Sequence, residues 1–493
     1  MSFGYEPDPL RDRTGGPPGR PGRSHATVSR IRAGSVGLCC LGAPAGVPIR
    51  RVSEPGRGRG RARTHGPDCG RIPALTEQPL RIAIIGSGIA GLTVAHRLHS
   101  RHRISVFERR PRIGGHVHTV TAKLQGKVYR VDTGFIVYSE ETFPNFSRLL
   151  RQLAVPTRET EMSFSVRHDR SGVEYSGASL NGLFSQRSNL LRPAFLRMLY
   201  DINRFNREFN SPGRWPDIGD GPIVQFLADR GYRSEFLERF LVPLGSALWS
   251  APPAAFRRYP ASFVIRFLRN NRLLQTGRRP RYRFIAGGSA NYLDELTTPF
   301  KDRIRVGCGV HRVRRRDKYI EAEFADGGRE RFDQVVIACH ADEALDLLED
   351  PDETESELLR QFPYQANSVL LHTDPSVLPR NRRSWASWNV HAPPVDQDSV
   401  RITYNMNILQ KISGPHVFNV TLNDQGSIPA DKILGRYTYR HPQYGPGSER
   451  VQSRHRELIG RRRTSFCGAY WGFGFHEDAV NSALAVANVL ARE

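Results

Sequence analysis

Arg81-Ile82-Ala83-Ile84-Ile85-Gly86-Ser87-Gly88-Ile89-Ala90-Gly91 decides how the rest of the chain is read. Arg81–Ile85 is a short apolar run of the kind that forms a buried strand, Gly86–Gly91 is a glycine turn, and Leu92–His99 has a helical pattern. Ile104–Glu108 then reads as a second strand, so the unit is βαβ. Each glycine has a task in such a unit. Gly86 permits the tight turn, Gly88 lets a pyrophosphate approach the backbone, and Gly91 lets helix and strand pack closely. Ser87, Ile89 and Ala90 complete the turn, where the free N–H groups of a helix N-terminus favour phosphate. Glu108 stands 22 residues after Gly86, where it can accept hydrogen bonds from an adenosine ribose. The alternative is a tight turn without a ligand.

Order begins abruptly at Pro79. Residues 1–78 hold 14 Gly and 10 Pro without period, a low-complexity composition expected of a disordered tail or of sequence upstream of the true start, for which Leu75 is the candidate. The net charge is +23; 13 arginines against 6 carboxylates in residues 1–78 contribute +7, and the remaining chain carries +16. This balance favours anionic partners, with a solvated arginine-rich surface as the alternative. Six cysteines, two adjacent (Cys39, Cys40) and the others scattered, form neither a disulfide framework nor a metal pattern, which suggests a reducing, cytoplasmic compartment and no metal. No apolar run is long enough to span a bilayer.

From about Pro193 to Leu248 the pattern is helical, with Phe195, Leu199, Ile202, Phe205 and Phe209 as a core stripe. Ile320–Phe324 alternates, Asp326–Gly328 is a turn and Val335–Ala338 a buried strand. Residues 365–425 suggest a sheet, and Asp478–Ala491 a helix with Val480, Ala483, Ala487 and Leu490 on one face.

Beyond the ribose acid, Glu108-Arg109-Arg110-Pro111-Arg112-Ile113-Gly114-Gly115-His116 adds a second glycine pair, and Asp132-Thr133-Gly134-Phe135 follows. Ile285-Ala286-Gly287-Gly288-Ser289, Arg303–Ala338, and Phe466-Cys467-Gly468-Ala469-Tyr470-Trp471-Gly472 with Glu477-Asp478-Ala479-Val480 complete a set. Together these resemble the amine-oxidase superfamily of FAD enzymes. The resemblance implies non-covalent FAD in a discontinuous Rossmann-like α/β domain over 79–165, 276–345 and 462–493, with a mixed α+β substrate domain over 166–275 and 346–461. It also implies that Arg109, Gly114, Gly115 and His116 lie at the pyrophosphate side, Gly134 and Phe135 near the isoalloxazine, and Val310 against the adenine. Gly468, Ala479 and Val480 would stand at the pyrimidine edge, near a helix N-terminus that stabilises negative charge there.

Ser246-Ala247-Leu248-Trp249-Ser250, Leu371-His372-Thr373-Asp374, Ser384-Trp385-Ala386-Ser387-Trp388-Asn389, Thr403-Tyr404-Asn405-Met406-Asn407, His441-Pro442 and Gly474-Phe475-His476-Glu477-Asp478 are similar to one bacterial subfamily of NAD/FAD-binding, amine-oxidase-like proteins. Its members occur beside, or fused to, cyclopropane-fatty-acid-synthase-type methyltransferases, and some are linked to desaturation of methylated acyl chains. The chain departs from the superfamily with His116 where Arg is frequent, and with Gly468-Ala469 where Gly-Glu is frequent. None of its six lysines sits in the position that amine oxidases place near the flavin.

Three functions follow as expectations: a lipid-acting oxidoreductase or desaturase, an amine or polyamine oxidase, and a catalytically silent flavin-binding partner of a lipid methyltransferase. His476 and Glu477 are the candidates for proton transfer, with helix capping and packing as the alternative. Trp385 and Trp388 are candidates for a substrate wall or for aromatic core, and His372 and His441 read as satisfied polar residues. The clusters Arg278–Arg281, Arg312–Arg316 and Arg461–Arg463 suggest peripheral contact with an anionic membrane, on the inner face, rather than nucleic-acid binding.

Overall fold

The computed structural model describes residues 78–210, 218–274, 280–392 and 401–492. The tail up to residue 77, Leu75, Arg278 and Arg279 lie outside the described residues. At the centre is a five-stranded parallel sheet in the order 304–305, 103–107, 81–85, 334–337, 464–466. Arg81–Ile85 occupies the middle and is buried on both faces, which explains its uninterrupted apolar run. Its side chains alternate between two cores. Ile82 and Ile84 face the helices Ile89–Leu98 and His476–Leu490, while Ala83 and Ile85 face a three-stranded antiparallel sheet of residues 310–315, 320–324 and 329–332.

Element ends differ from the sequence reading by up to three residues. The first helix begins at Ile89 rather than Leu92, because Gly88 is already extended at its N-cap. The second strand is Arg103–Phe107, so Glu108 stands just past its end, at the rim of the sheet. Val480, Ala483, Ala487 and Leu490 of the last helix are all buried.

A second, seven-stranded sheet runs 433–442, 364–372, 419–422, 401–405, 388–392, 164–168, 173–176, and is antiparallel except where 388–392 pairs with 164–168. The region read as helical comprises several pieces, Pro193–Asn210, Ile223–Asp229 and Val242–Trp249 among them, with a π-helical turn at Leu237–Leu241. Phe195, Phe205 and Phe209 of the expected stripe are buried, and Leu199 and Ile202 are partly so. The hairpin 119–124/127–132 and the small sheet 137–139/282–285/157–160 carry the chain between the two large sheets. Among the described residues no helix is long and apolar enough to cross a membrane.

Candidate cofactor and substrate site

A cavity of about 680 Å³ opens at the carboxyl ends of the central parallel strands. Open α/β sheets bind ligands at this end. Its floor is the two glycine turns, set back to back. A Cβ on Gly115 would come within 3.3 Å of Gly88 Cα. A Cβ on Gly88 would meet no atom within 4 Å and would project into the open space. That space fits a pyrophosphate: it lies at the start of the first helix, whose leading N–H groups have no intrahelical acceptor. Gly86, at φ +105°, sits so close to the neighbouring strand that a Cβ would fall 2.8 Å from the Ala338 carbonyl oxygen.

Glu108 is positioned by the turn it serves. The Ser87 hydroxyl donates to its Oε2 at 2.6 Å and the Ser87 N–H to the same oxygen at 3.1 Å. The Arg110 N–H donates to Oε1 at 2.9 Å. Ser87 also accepts the Gly114 N–H at its carbonyl, 2.9 Å, so one serine links both glycine turns to the acid. Arg109 pairs with Glu343 at 2.7 Å, and its Cβ would lie 3.1 Å from a Cβ built on Gly309, next to Val310. Gly86, Ser87, Gly88, Ile89, Ala90, Glu108, Arg109, Gly114, Gly115 and Val310 all line this half of the cavity.

The other half is bounded by His116, Gly134, Phe135, Gly468, His476 and Ala479. His476 stacks on Phe135, with centroids 3.6 Å apart and planes 17° apart, and lies 3.4 Å from the Tyr292 hydroxyl. Burial lowers its pKa to about 3, so the ring is neutral at physiological pH. His116 donates to the Arg440 carbonyl at 3.1 Å and is likewise held at about 3 by burial and by nearby His340 and Arg110. His441 is at about 3 and His340 at about 4, again through burial. His116, the residue after the second glycine pair, therefore stands among uncharged imidazoles, with His340 and His441 at ring-centroid distances of 5.8 and 5.3 Å.

Three expected site residues are not on the cavity wall. Glu477 points away from it. Its carboxylate accepts the backbone N–H groups of Asn145 (3.0 Å) and Phe146 (2.9 Å), capping the helix Pro144–Gln152. The proton-transfer role considered for Glu477 is therefore withdrawn in favour of capping, because both oxygens are committed to helix N–H groups. Val480 is buried in the core between the last helix and the sheet, one residue past the part of that helix that reaches the cavity. Gly91 acts indirectly, since a Cβ there would lie 2.0 Å from the Gly86 carbonyl oxygen. The Asp-x-Gly turn also divides its work. Gly134 packs on the His116 carbonyl, while the buried Asp132 accepts from Ser289 N–H (2.9 Å), Ser289 hydroxyl (2.9 Å) and Gln410 (2.8 Å). Burial raises the Asp132 pKa to about 6.

Of the remaining wall, only Trp388 is a candidate from the sequence. This wall is formed by Ile136, Val137, Leu248, Trp249, Ser250, Trp388, Tyr404, Leu422, Tyr439 and His441. Trp249 donates to the Phe473 carbonyl at 3.0 Å, joining the helical region to the closing motif. Tyr404 meets Trp388 edge-on at 5.2 Å. Of the tryptophan pair, Trp388 reaches the cavity, whereas Trp385 donates to the Pro379 carbonyl at 2.8 Å. His372 is satisfied by Thr421 at 2.7 Å. The signal for several of these residues lay in the subfamily segments, Ser246–Ser250, Thr403–Asn407 and His441-Pro442, which carried no chemical role by themselves. Among the described residues no group of His, Cys, Asp and Glu is arranged to hold a metal.

The sequence profile of the flavin-containing amine oxidoreductases matches residues 89–389 and 383–491. No curated protein matches the sequence. Solved structures that share the fold include a CLA-producing fatty acid isomerase from P. acnes, 15% identical at a TM-score of 0.60 over 84% of this chain and 99% of that one. Cyclohexylamine oxidase from Brevibacterium oxydans IH-35A is 15% identical at 0.61, over 84% and 100% of the two chains. Reduced UDP-galactopyranose mutase is 14% identical at 0.59, over 84% and 96%. At these identities the likeness is one of fold.

Proposed function

Because the chain belongs to the flavin-containing amine oxidoreductase family, we propose that this FAD-dependent oxidoreductase removes hydride from a C–H bond of a neutral, largely apolar substrate, a fatty-acyl chain in particular. The observation that carries this reading is the charge of the wall. Ile136, Val137, Leu248, Trp249, Trp388, Tyr404, Leu422 and Tyr439 include no carboxylate. Among the described residues, the acids that line the cavity are Glu108, held by Ser87 and Arg110, Glu343, paired with Arg109, and Asp346 on the same helix as Glu343. A polyammonium substrate would enter the apolar half without a counter-charge, at a cost above the ~2–7 kcal/mol of an uncompensated neutral polar group. Among the described residues no lysine lines the cavity.

Bound FAD supplies the two-electron acceptor for such a reaction. The chain's part is to hold and shield. Ser87, Gly88, Glu108 and Gly115 fit the dinucleotide, and the aromatic wall excludes water from the reacting bond. A neutral His476 near pKa 3 is a poor proton acceptor at physiological pH, so its contribution is the stacked position of its ring. Beside this stands an amine-oxidase reading, favoured by the edge-on Trp388–Tyr404 pair, whose faces can hold an amine. The subfamily resemblance supports a place beside a cyclopropane-type lipid methyltransferase. Incubating the holoenzyme with acyl phospholipids and an electron acceptor, then measuring acyl-chain mass, tests the reading. Loss of two hydrogens, one as hydride to FAD and one as a proton released to solvent, supports it, and turnover of amines alone refutes it.

A further inference from the structure

Nine large apolar residues are exposed among the described residues, and five of them fall within 21 positions: Leu180, Leu190, Leu191, Leu196 and Tyr200. Leu191 is 87% exposed, Leu180 73% and Tyr200 63%. They lie on three consecutive elements. Leu180 begins the short helix Leu180–Leu183; Leu190 and Leu191 close a 3₁₀ turn at Arg187–Leu191; Leu196 and Tyr200 sit one turn apart on Pro193–Asn210. Arg187 ties the first two pieces together by donating to Asn181 at 2.8 Å and to the Phe184 carbonyl at 3.1 Å.

This surface is not an overflow of the core. The inward face of Pro193–Asn210 is already filled by Phe195, Met198, Phe205 and Phe209, all buried. Leu196 and Tyr200 project from the opposite side of that helix, where they contribute nothing to the core of the monomer.

Charge supplies the second observation. No Asp or Glu occurs between Glu174 and Asp201, while Arg187, Arg192 and Arg197 do. The two flanking acids are turned inward: Glu174 is buried, accepting the N–H groups of Arg380 and Asn381, and Asp201 is buried against Arg233. Arg197 pairs with Glu235, but Arg187 and Arg192 have no carboxylate partner among the described residues.

The arginine clusters legible in the sequence behave differently. Arg314 meets Glu321, Glu323 and Glu349, Arg315 meets Asp350 and Glu355, and Arg461 and Arg462 meet Asp352 and Asp350. Their charge is largely neutralised in place.

We propose that the surface of residues 180–200 docks peripherally on a bilayer bearing anionic lipid. Leu180, Leu190, Leu191 and Leu196 would enter the acyl boundary, Tyr200 would sit at the headgroup level, and Arg187 and Arg192 would meet lipid phosphates. A run of exposed apolar residues that carries two arginines without carboxylate partners, and no acid of its own between residues 175 and 200, is complementary to such a membrane. The platform also leads toward the site. The buried layer beneath it, Phe195, Met198, Val166 and Ala392, includes the end of strand Trp388–Ala392, whose other end places Trp388 on the cavity wall. The docking proposal does not depend on the substrate being an acyl chain, and its test does not read turnover.

The test is sedimentation of the full-length, FAD-loaded protein with phosphatidylglycerol-containing and pure phosphatidylcholine vesicles, alongside Leu180→Ser/Leu191→Ser and Arg187→Gln/Arg192→Gln. Binding is expected to anionic vesicles only, reduced about tenfold or more by either double substitution. It should also weaken at 1 M salt, where screening shortens to ~3 Å. Hydrogen exchange on the unsubstituted protein provides a readout independent of the variants, and vesicles should protect residues 180–200. The proposal is overturned by no binding at low salt, by equal binding of all three proteins without protection of 180–200, or by a lipid-free dimer that both variants dissociate.

Discussion

The imidazole of His476 lies flat on the ring of Phe135, 3.6 Å between centroids. This contact joins the first residue of the closing helix to the Asp-x-Gly turn across the cavity from the glycine floor. Because burial keeps His476 neutral, the contact is an aromatic stack rather than a cation–π pair. Phe135→Ala should weaken FAD binding about two- to tenfold, in keeping with the ~0.5–1.5 kcal/mol of an aromatic pair. His476→Phe should retain FAD, since the stack survives. Flavin release followed by fluorescence checks both.

The glycines of the first turn should separate by function. Gly88→Ala places a methyl in open space, so the cofactor-free protein should melt as before while FAD affinity falls. Gly91→Ala forces an atom to 2.0 Å from the Gly86 carbonyl oxygen, so it should destabilise the fold itself. Melting temperatures with and without FAD distinguish the two. Equal effects on the cofactor-free protein would contradict this division.

Glu477 is assigned to a helix end. Glu477→Gln should cost about 1–3 kcal/mol of stability through its charge-assisted bonds to Asn145 and Phe146. The rate of flavin reduction in the folded fraction should be unchanged. A folded variant with a large loss of rate and unaltered melting would return Glu477 to the chemistry.

The contrast between Gly88 and Glu477 shows what the sequence could express. Glycine positions declare backbone constraints, so the floor of the cavity and the order strand, turn, helix, strand were legible within a few residues of their ends. The parallel pairing of 81–85 with 103–107 follows from that pattern. The direction in which Glu477 points was not legible, because it depends on where Pro144–Gln152 packs, more than 300 residues away in sequence. The wall of Trp249, Trp388 and Tyr404 joins a cross-strand pair, Trp388 and Tyr404, to a residue from the distant helix Val242–Trp249, and only their juxtaposition gives it a role. Likewise the runs Arg312–Arg316 and Arg461–Arg463 announce positive charge, whereas their carboxylate partners come from other elements.

Stability should rise with pH between about 4 and 6.5. His116, His441 and His476 are held at about 3, and His118, His340, His372 and His455 at about 4, all through burial. Their unfolded value is ~6.5, so below it the unfolded chain takes up protons that the folded chain refuses, and stability falls as pH is lowered. Asp132 at about 6 and Asp478 at about 7 act in the opposite sense, since their folded pKa values are raised, but they are two groups against seven. Melting curves across this window check the sign. A melting temperature that is flat or rising toward pH 4 would contradict it.

The substrate claim is tested most directly by anaerobic mixing of the FAD-loaded enzyme with acyl phospholipid vesicles and, separately, with a panel of mono- and polyamines, while the visible flavin absorbance is recorded. The account predicts bleaching by acyl lipid and none by polyamines. Bleaching by amines with no response to any acyl lipid would contradict it.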